Sequence, residues 1–129
     1  MDNIFSVLEH FPNDLKNCFL SFDVSVLSKI TEIRLRVNKP IVIYILDKPF
    51  FISKYDKLIN HYLNDCRFIS DDEFIFILDS FCNNSYHTNM QTMIDGYVTD
   101  KFGSRIGIAG EAVYKNNLIS SVKNISSLN

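Results

Sequence analysis

The hydrophobic positions change their spacing along the chain, and each spacing predicts a type of secondary structure. Pro12–Phe22 carries leucine and phenylalanine at three- and four-residue intervals, which predicts a short helix, and Val24–Ile30 can form another helical turn. In Thr31–Val37 apolar and charged residues alternate, as in a strand buried on one face. Ile41–Leu46 is almost entirely apolar, so we expect a central strand buried on both faces.

Turn-forming residues separate these early strands. Asn38–Pro40 and Asp47–Pro49 each combine asparagine or aspartate with proline, which favours turns. Phe50–Ser53 then predicts a third strand. The segment Lys54–Asp65 is polar and weakly patterned, and we expect it to be a surface connection.

The most distinctive helix start is Ser70–Glu73. A serine followed three residues later by glutamate is a capping box, in which each side chain accepts a hydrogen bond from a backbone N–H that the helix leaves unpaired. Ile69 and Phe74 flank it in the positions of a hydrophobic staple, and two aspartates lie where the helix dipole favours negative charge. The helix then presents one apolar stripe, formed by Phe74, Ile77, Leu78 and Phe81.

The last third of the chain predicts one more helix and three strands. A helix over Tyr86–Asp95 precedes Gly96, a typical residue just beyond a helix C-terminus. Tyr97–Asp100, Ser104–Tyr114 and Leu118–Lys123 are predicted strands, the last two joined by an Asn-Asn hairpin turn. The whole pattern predicts one α+β domain with a short N-terminal helical segment and a mainly antiparallel sheet, in which a helix pair separates the early and late strands.

Composition and charge narrow the function classes. The 129 residues suffice for one domain with its own core, and 47% of them are hydrophobic. The net charge of −2 does not favour a protein that coats nucleic acid or an anionic membrane. The N-terminus lacks the basic start and apolar run of a signal peptide, and the longest apolar stretch is too short to span a bilayer. These features predict a cytosolic protein.

The residue types that carry most enzyme chemistry are present but are not arranged for it. The glycine-rich run Gly103–Gly110 has neither the lysine nor the spacing of a phosphate-binding P-loop, so its glycines predict a bulge or a close backbone approach. The histidines and cysteines lack metal-ligand spacing, and the cysteines predict buried free thiols. These residues are His10, His61, His87, Cys18, Cys66 and Cys82. We therefore expect no catalytic residue and no metal site.

Three arginines on predicted strands allow two interpretations. Arg34 and Arg36 share one strand face with Glu32, which suits cross-strand ion pairs on a solvated surface. The same face can also contact another domain or a bound phosphate, because the planar guanidinium matches phosphate oxygens. Arg105 lies on a late strand beside the glycine-rich run and raises the same two alternatives.

Several segments carry a family likeness. Glu32–Pro40 reads E-I-R-L-R-V-x-x-P, and Ser80–Tyr86 is followed at Asp95–Thr99 by a form of a G-[YF]-[IV]-T strand. The most specific segment is Gly103–Val113, which reads G-S-R-I-G-I-A-G-E-A-V, and the chain ends with Asn124–Asn129. In this order and spacing, the segments together resemble the stage III sporulation protein AA family over nearly the whole chain.

The resemblance implies that residues 1–129 form the N-terminal assembly and regulatory domain of a sporulation ATPase, with a helical lead over 1–30 and a sheet body over 31–129. Members of the family continue into a RecA-like ATPase core with the P-loop, and no P-loop occurs in this chain. The chain alone is then not an enzyme and holds no cofactor. The full-length protein would bind ATP and Mg²⁺ and hydrolyse ATP.

The family is similar to the ATPases of type II secretion and type IV pilus machines, in which arginines on the corresponding late strand reach nucleotide phosphates. By position, Arg105 is the candidate for such a phosphate or inter-domain contact, with Arg34 and Arg36 as weaker candidates. The implied partners are its own ATPase domain, neighbouring subunits of a hexamer, and membrane proteins of a secretion-like channel between mother cell and forespore. The expected location is the mother-cell cytoplasm, peripheral to that channel and without membrane insertion.

A free-standing adaptor or nucleic-acid-binding module on the same scaffold is the alternative. Such a module would need a continuous basic face, and the net charge of −2 argues against one. A small stand-alone enzyme is a third option, and no group of residues in the sequence supports it.

Overall fold

The computed structural model describes residues 4–82, 97–99, 105–115 and 118–128. Short helices come first, a group of strands follows, and a longer helix precedes the last strands. The helices are α1 (Ile4–Leu8), α2 (Asn13–Leu20), α3 (Val24–Leu27) and α4 (Asp71–Cys82). The strands are β1 (Ile30–Arg36), β2 (Val42–Ile45), β3 (Lys48–Ile52), β4 (Leu58–Ile59), β5 (Tyr97–Thr99), β6 (Arg105–Lys115) and β7 (Leu118–Leu128).

The strands in these ranges belong to one sheet in which the pairings are antiparallel. Their order is β4-β3-β2-β1-β7-β6-β5. β1 lies at the centre and joins the early strands to the late ones, since Leu35 pairs with Leu128 and Arg36 pairs with Ser127. The predicted α+β class with a mainly antiparallel sheet is confirmed. The second helix of the predicted pair, Tyr86–Asp95, lies outside the described residues.

β1 separates apolar from charged residues, as its alternation predicts. Leu35 is 3% exposed and Ile33 packs against the same buried cluster, whereas Glu32, Arg34 and Arg36 occupy the opposite face of the strand. All four described helices contribute side chains to the cluster on the Leu35 side. In the described part of the chain, helices therefore cover one face of β1 and leave the charged face open.

The expectation that Ile41–Leu46 is buried on both faces is wrong. β2 is shorter than this segment, and within it only Ile43 is fully buried. Val42 and Tyr44, on the other face of β2, are half-buried, and Leu46 is 64% exposed. The reason is the one-sided helical cover, because a strand can be buried on both faces only where both faces of the sheet are covered.

Two elements between β2 and α4 differ from the prediction. The turn between β2 and β3 consists of Leu46 and Asp47, whose φ angles are 50° and 64°, so β3 already begins at Lys48 and contains Pro49. Two adjacent residues with positive φ are typical of a tight hairpin. The predicted surface connection Lys54–Asp65 also contains β4, which pairs with the end of β3.

The late hairpin of β6 and β7 follows the prediction in its positions but is longer. β7 continues to Leu128, beyond its predicted end at Lys123. The pairing register shifts between Ala109 and Glu111, whose partners are Ser127 and Lys123, so the extra residues of this irregularity lie in β7, opposite Gly110. The prediction that the glycines of this segment mark a bulge or a close backbone approach stays a prediction, since Gly110 only lies opposite the irregular part of β7.

The first helix, α1, lies within the helical lead expected over 1–30, although no hydrophobic spacing predicts its bounds. Ile4 and Leu8 are buried one turn apart, and the residues after α1 bring His10 against the end of α4. The His10 ring stacks on Phe81 with ring centroids 3.9 Å apart, and its Nδ1 lies 2.8 Å from Ser80 Oγ. His10 therefore joins the N-terminal segment to α4.

The capping box at the start of α4 is confirmed. The backbone N–H of Glu73 donates to Ser70 Oγ at 3.2 Å, and the backbone N–H of Ser70 donates to Glu73 Oε1 at 3.1 Å. The predicted apolar stripe of α4 is also buried, with no member more than 6% exposed; it consists of Phe74, Ile77, Leu78 and Phe81. The cap and the stripe together fix where α4 starts and which side faces the sheet.

We expect Ser70→Ala to lower the free energy of unfolding by about 1 kcal/mol, since the Glu73 N–H then loses its capping acceptor. Urea denaturation followed by circular dichroism measures the difference. Ser25→Ala is the matched control: this exposed serine of α3 should change stability by less than about 0.5 kcal/mol. If Ser70→Ala is as stable as the wild type, the capping box contributes nothing to the fold.

Candidate functional site

Arg34 is held in place on the face of the sheet that no described helix covers. Its Nε and Nη2 each lie 2.9 Å from Glu32 Oε2, and its guanidinium carbon lies 4.9 Å from the centre of the Tyr44 ring. The predicted ion pair thus exists, but along one strand, because Tyr44 is the residue opposite Glu32 on β2. The guanidinium is fixed between a carboxylate and an aromatic ring, with its side chain still 38% exposed.

Arg36 lies two residues further along β1 on the same face. It is exposed, and its guanidinium forms no hydrogen bond or ion pair with the residues that the structure describes. We call the surface formed by Glu32, Arg34, Arg36 and Tyr44 the arginine face. It combines an aromatic ring, one positioned guanidinium and one exposed guanidinium on a sheet surface that the helices of the described ranges leave uncovered.

The backbone register relates Arg105 to this surface. Arg36 pairs with Ser127, Ser127 pairs with Ala109, and β6 runs without a register shift from Ala109 back to Arg105, which pairs with Thr99. Paired residues lie on the same face of a sheet, and so do residues two or four apart in a strand. Position 105 therefore belongs to the same sheet face as the arginine face, two strands away and about 10 Å to the side.

A second candidate site, which the sequence patterns did not reveal, is a cleft of about 500 Å³ around Arg67. Arg67 Nη2 donates to Asp14 Oδ2 at 3.1 Å and to Glu73 Oε2 at 3.2 Å. Asp14 lies in the first turn of α2 and Glu73 in the first turn of α4. One guanidinium thus connects the N-terminal ends of two helices.

The backbone around Arg67 also ties strands together. The Arg67 N–H donates to the Ile52 carbonyl at 2.8 Å, and the Arg67 carbonyl accepts from the Ile41 N–H at 3.1 Å. Two residues on, the Ile69 carbonyl accepts from the Asn38 N–H at 2.9 Å. This segment therefore fastens the turn between β1 and β2 to the end of β3 before it enters α4.

The electrostatics of Arg67 favour a permanent ion-pair hub. Burial disfavours its charged form, but the hydrogen bond to Asp14 and the charge of Glu73 outweigh burial and raise the pKa of Arg67 above its ordinary value. Its Nε is buried without a hydrogen-bond partner among the described residues. The charged side chains that line the cleft are four acids and two bases: Asp14, Asp56, Asp65, Glu73, Lys54 and Arg67. Because the acids outnumber the bases, the cleft does not suit an anion such as phosphate.

No hydrophobic or charge pattern in the sequence predicts the ion pairs of Arg67. Arg67 lies in an irregular segment without periodicity, and its partner Asp14 is 53 residues away. The available signal was the capping box, because it places the Glu73 carboxylate at the start of α4 beside the preceding segment. The cation that pairs with the Glu73 carboxylate is determined by the tertiary path of the chain, and local sequence patterns do not specify that path.

The described cysteines are buried free thiols, as predicted for Cys18 and Cys66. Burial, together with the nearby Asp56 carboxylate, raises the pKa of Cys18 to about 12. Cys18 Sγ donates to Asp56 Oδ1 at 3.5 Å, so the thiol stays protonated at neutral pH and is a poor nucleophile. The side chain of Cys82 lies outside the described set.

Within the described ranges, no group of three or more metal-ligating side chains lies together. None of the helices in those ranges is long and apolar enough to cross a bilayer. The chemistry that the described residues do offer is charge and hydrogen bonding, at the arginine face and at the Arg67 hub.

Fold and site together define a class of protein: a small α+β domain with a central sheet, covered by helices on one side and carrying arginines on the other. The family model described as sporulation stage III, protein AA matches residues 6–129. The chain belongs to this family, as the sequence segments predict.

The chain is similar to stage III sporulation protein AA of Bacillus subtilis (strain 168), with 25% identity over 123 residues. The match covers 95% of this chain but 36% of that relative, so the chain spans well under half of the relative's length. No solved structure matches the chain.

We expect Arg67→Met to lower the free energy of unfolding by about 1–3 kcal/mol, because Glu73 and Asp14 lose their cationic partner in a partly buried site. Urea denaturation gives the difference. Lys54→Met is the control: its ion pair with Asp65 is exposed, so its loss should cost less than about 0.5 kcal/mol. An equal effect of the two substitutions would contradict the role of Arg67 as a hub.

Proposed function

We propose that this chain is the N-terminal assembly and regulatory module of a sporulation ATPase, and that the ATP-hydrolysing core lies in another part of the full-length protein. The observation that carries the proposal is family membership over residues 6–129 combined with a match to 36% of the relative. Most of the relative's length lies outside the matched part, which leaves room for a separate catalytic core.

The arginine face suits a contact with another protein surface. Arg34 is already ordered by Glu32 and Tyr44, so a partner that binds it has little side-chain entropy left to remove. Arg36 adds an exposed charge beside it. Arginine next to an aromatic ring is a combination that is enriched at protein interfaces. In this proposal Arg34 and Arg36 serve inter-domain or inter-subunit contacts.

Arg105 is the candidate for the nucleotide phosphate. Its position lies on the same sheet face but two strands from β1, so it can serve a partner other than the one at the arginine face. A guanidinium can hold phosphate oxygens in two parallel hydrogen bonds, and an arginine supplied from outside the core stabilises the transferred phosphoryl group in many ATPases and GTPases. In the proposal, Arg105 reaches ATP and Mg²⁺ held by the core of its own or a neighbouring subunit.

The wider role follows from the family resemblance. The full-length protein would be a hexameric motor in the mother-cell cytoplasm, peripheral to the membrane. It would contact membrane proteins of a secretion-like channel and use ATP hydrolysis to drive transport between mother cell and forespore. This chain would act there by positioning neighbouring domains and by completing the nucleotide site.

We expect Arg105→Ala in the full-length protein to lower kcat for ATP hydrolysis at least about tenfold, because one cationic donor to the transferred phosphate is lost. Steady-state phosphate release measures the rate, and size-exclusion chromatography checks assembly. Lys29→Ala is the control, since Lys29 is exposed and outside the arginine face. Unchanged turnover together with unchanged assembly in Arg105→Ala would exclude the assigned role.

A further inference from the structure

The outer surface of α4 is unusual for a helix on the surface of a domain. Ile75 and Phe76 are each 53% exposed, and they lie between the exposed acids Asp72 and Asp79. These four residues follow the i, i+3, i+4, i+7 spacing, which places them along one side of the helix. We call this surface the acidic α4 face.

Exposed apolar residues at this position need an explanation, because α4 already buries its other side against the core. Phe74 and Ile77 on the inner side are nearly inaccessible, so α4 is apolar on both sides. The outer side of a surface helix is normally polar, so large apolar side chains there indicate that this side is covered by another surface. Two large side chains next to each other, rimmed by charge, are also the usual composition of an interaction site.

The arginine face offers a matching surface. The arginine face carries two arginines and one glutamate beside the Tyr44 ring. The acidic α4 face carries two aspartates beside an isoleucine and a phenylalanine. Opposite charges and an apolar contact on each side are the elements of a specific interface. Dimensions also agree, since α4 is about 18 Å long and β1 about 23 Å.

The two surfaces lie on opposite sides of the sheet. The inner residues of α4 share one buried cluster with Leu35, while Arg34 and Arg36 occupy the other face of β1. One chain therefore cannot bring its own two surfaces together, but two chains can. A helix that lies on an open sheet face covers it in the way that α4 already covers the inner face.

We propose that the acidic α4 face of one copy of this chain docks on the arginine face of a second copy. Each contact leaves one acidic α4 face and one arginine face free, so the association is head-to-tail and closes into a ring or continues as a filament. The inference rests on the proposed function only in treating the arginine face as a protein contact. It names the partner of that face as another copy of the same domain.

Sedimentation velocity of this 129-residue chain tests the proposal by comparing the wild type with two charge-reversal variants and with their mixture. The weight-average mass of the wild type should rise with concentration up to about 1 mM. Arg36→Glu and Asp79→Lys should each weaken self-association at least about tenfold, because each places like charges across the contact. An equimolar mixture of the two variants should associate again, because the unaltered acidic α4 face of Arg36→Glu then meets the unaltered arginine face of Asp79→Lys.

Lys29→Glu is the matched control, because it makes the same charge change at an exposed position outside both faces. It should self-associate like the wild type. Circular dichroism confirms that each variant is folded. The wild type provides a test without substitution: raising the salt concentration from about 50 to about 500 mM should weaken its association, since exposed charges are then screened.

The docking proposal would be overturned by a wild type that stays monomeric at every concentration, by single variants that associate as well as the wild type, or by a mixture that does not regain association. Salt-independent association would overturn it as well. These outcomes are separate from the ATPase assignment, because none of the measurements involves nucleotide. Loss of ATP turnover in full-length Arg105→Ala with no self-association here would retain the proposed function and remove this inference.

Discussion

The described helices all lie on one side of the sheet, and the rest of the structure depends on this asymmetry. On the covered side, Leu35 and Ile43 join a cluster with side chains from every described helix, and burial of this apolar surface is the main stabilising contribution. The alternation of β1 then forces Glu32, Arg34 and Arg36 to the other side. The same pattern that builds the core thus also produces a basic surface that no described helix covers.

On the covered side of the sheet, the Arg67 hub connects strands and helices just before the start of α4. Its backbone fastens β3 to the turn after β1, and its guanidinium joins Asp14 of α2 to Glu73 of α4. Glu73 takes part in both the capping box and this ion pair, so one carboxylate fixes the start of α4 and its link to α2. The orientation of the outer side of α4 follows from these constraints.

The predictable parts of the fold were those set by local chemistry. The capping box placed α4, and the alternation in β1 assigned its faces correctly, because both depend on neighbours in sequence. The reading of β2 was wrong, since an apolar run does not tell how many faces of the sheet are covered. The ion pair of Arg67 with Asp14 could not be predicted from local patterns, because it joins segments that are far apart in sequence. Arg34 was identified, but its contact with Tyr44 needed the strand register.

The central claim is that the open face of the sheet is a protein interface in the full-length protein. Hydroxyl-radical footprinting with mass spectrometry tests it through two tyrosines. Tyr44 lies on the arginine face, and Tyr55, which is 73% exposed, lies in the connection after β3 and serves as an internal reference. The account predicts that Tyr44 is oxidised more slowly in the assembled full-length protein than in this chain at low concentration, while Tyr55 is oxidised at the same rate in both. Equal oxidation rates of Tyr44 in the two samples would contradict it.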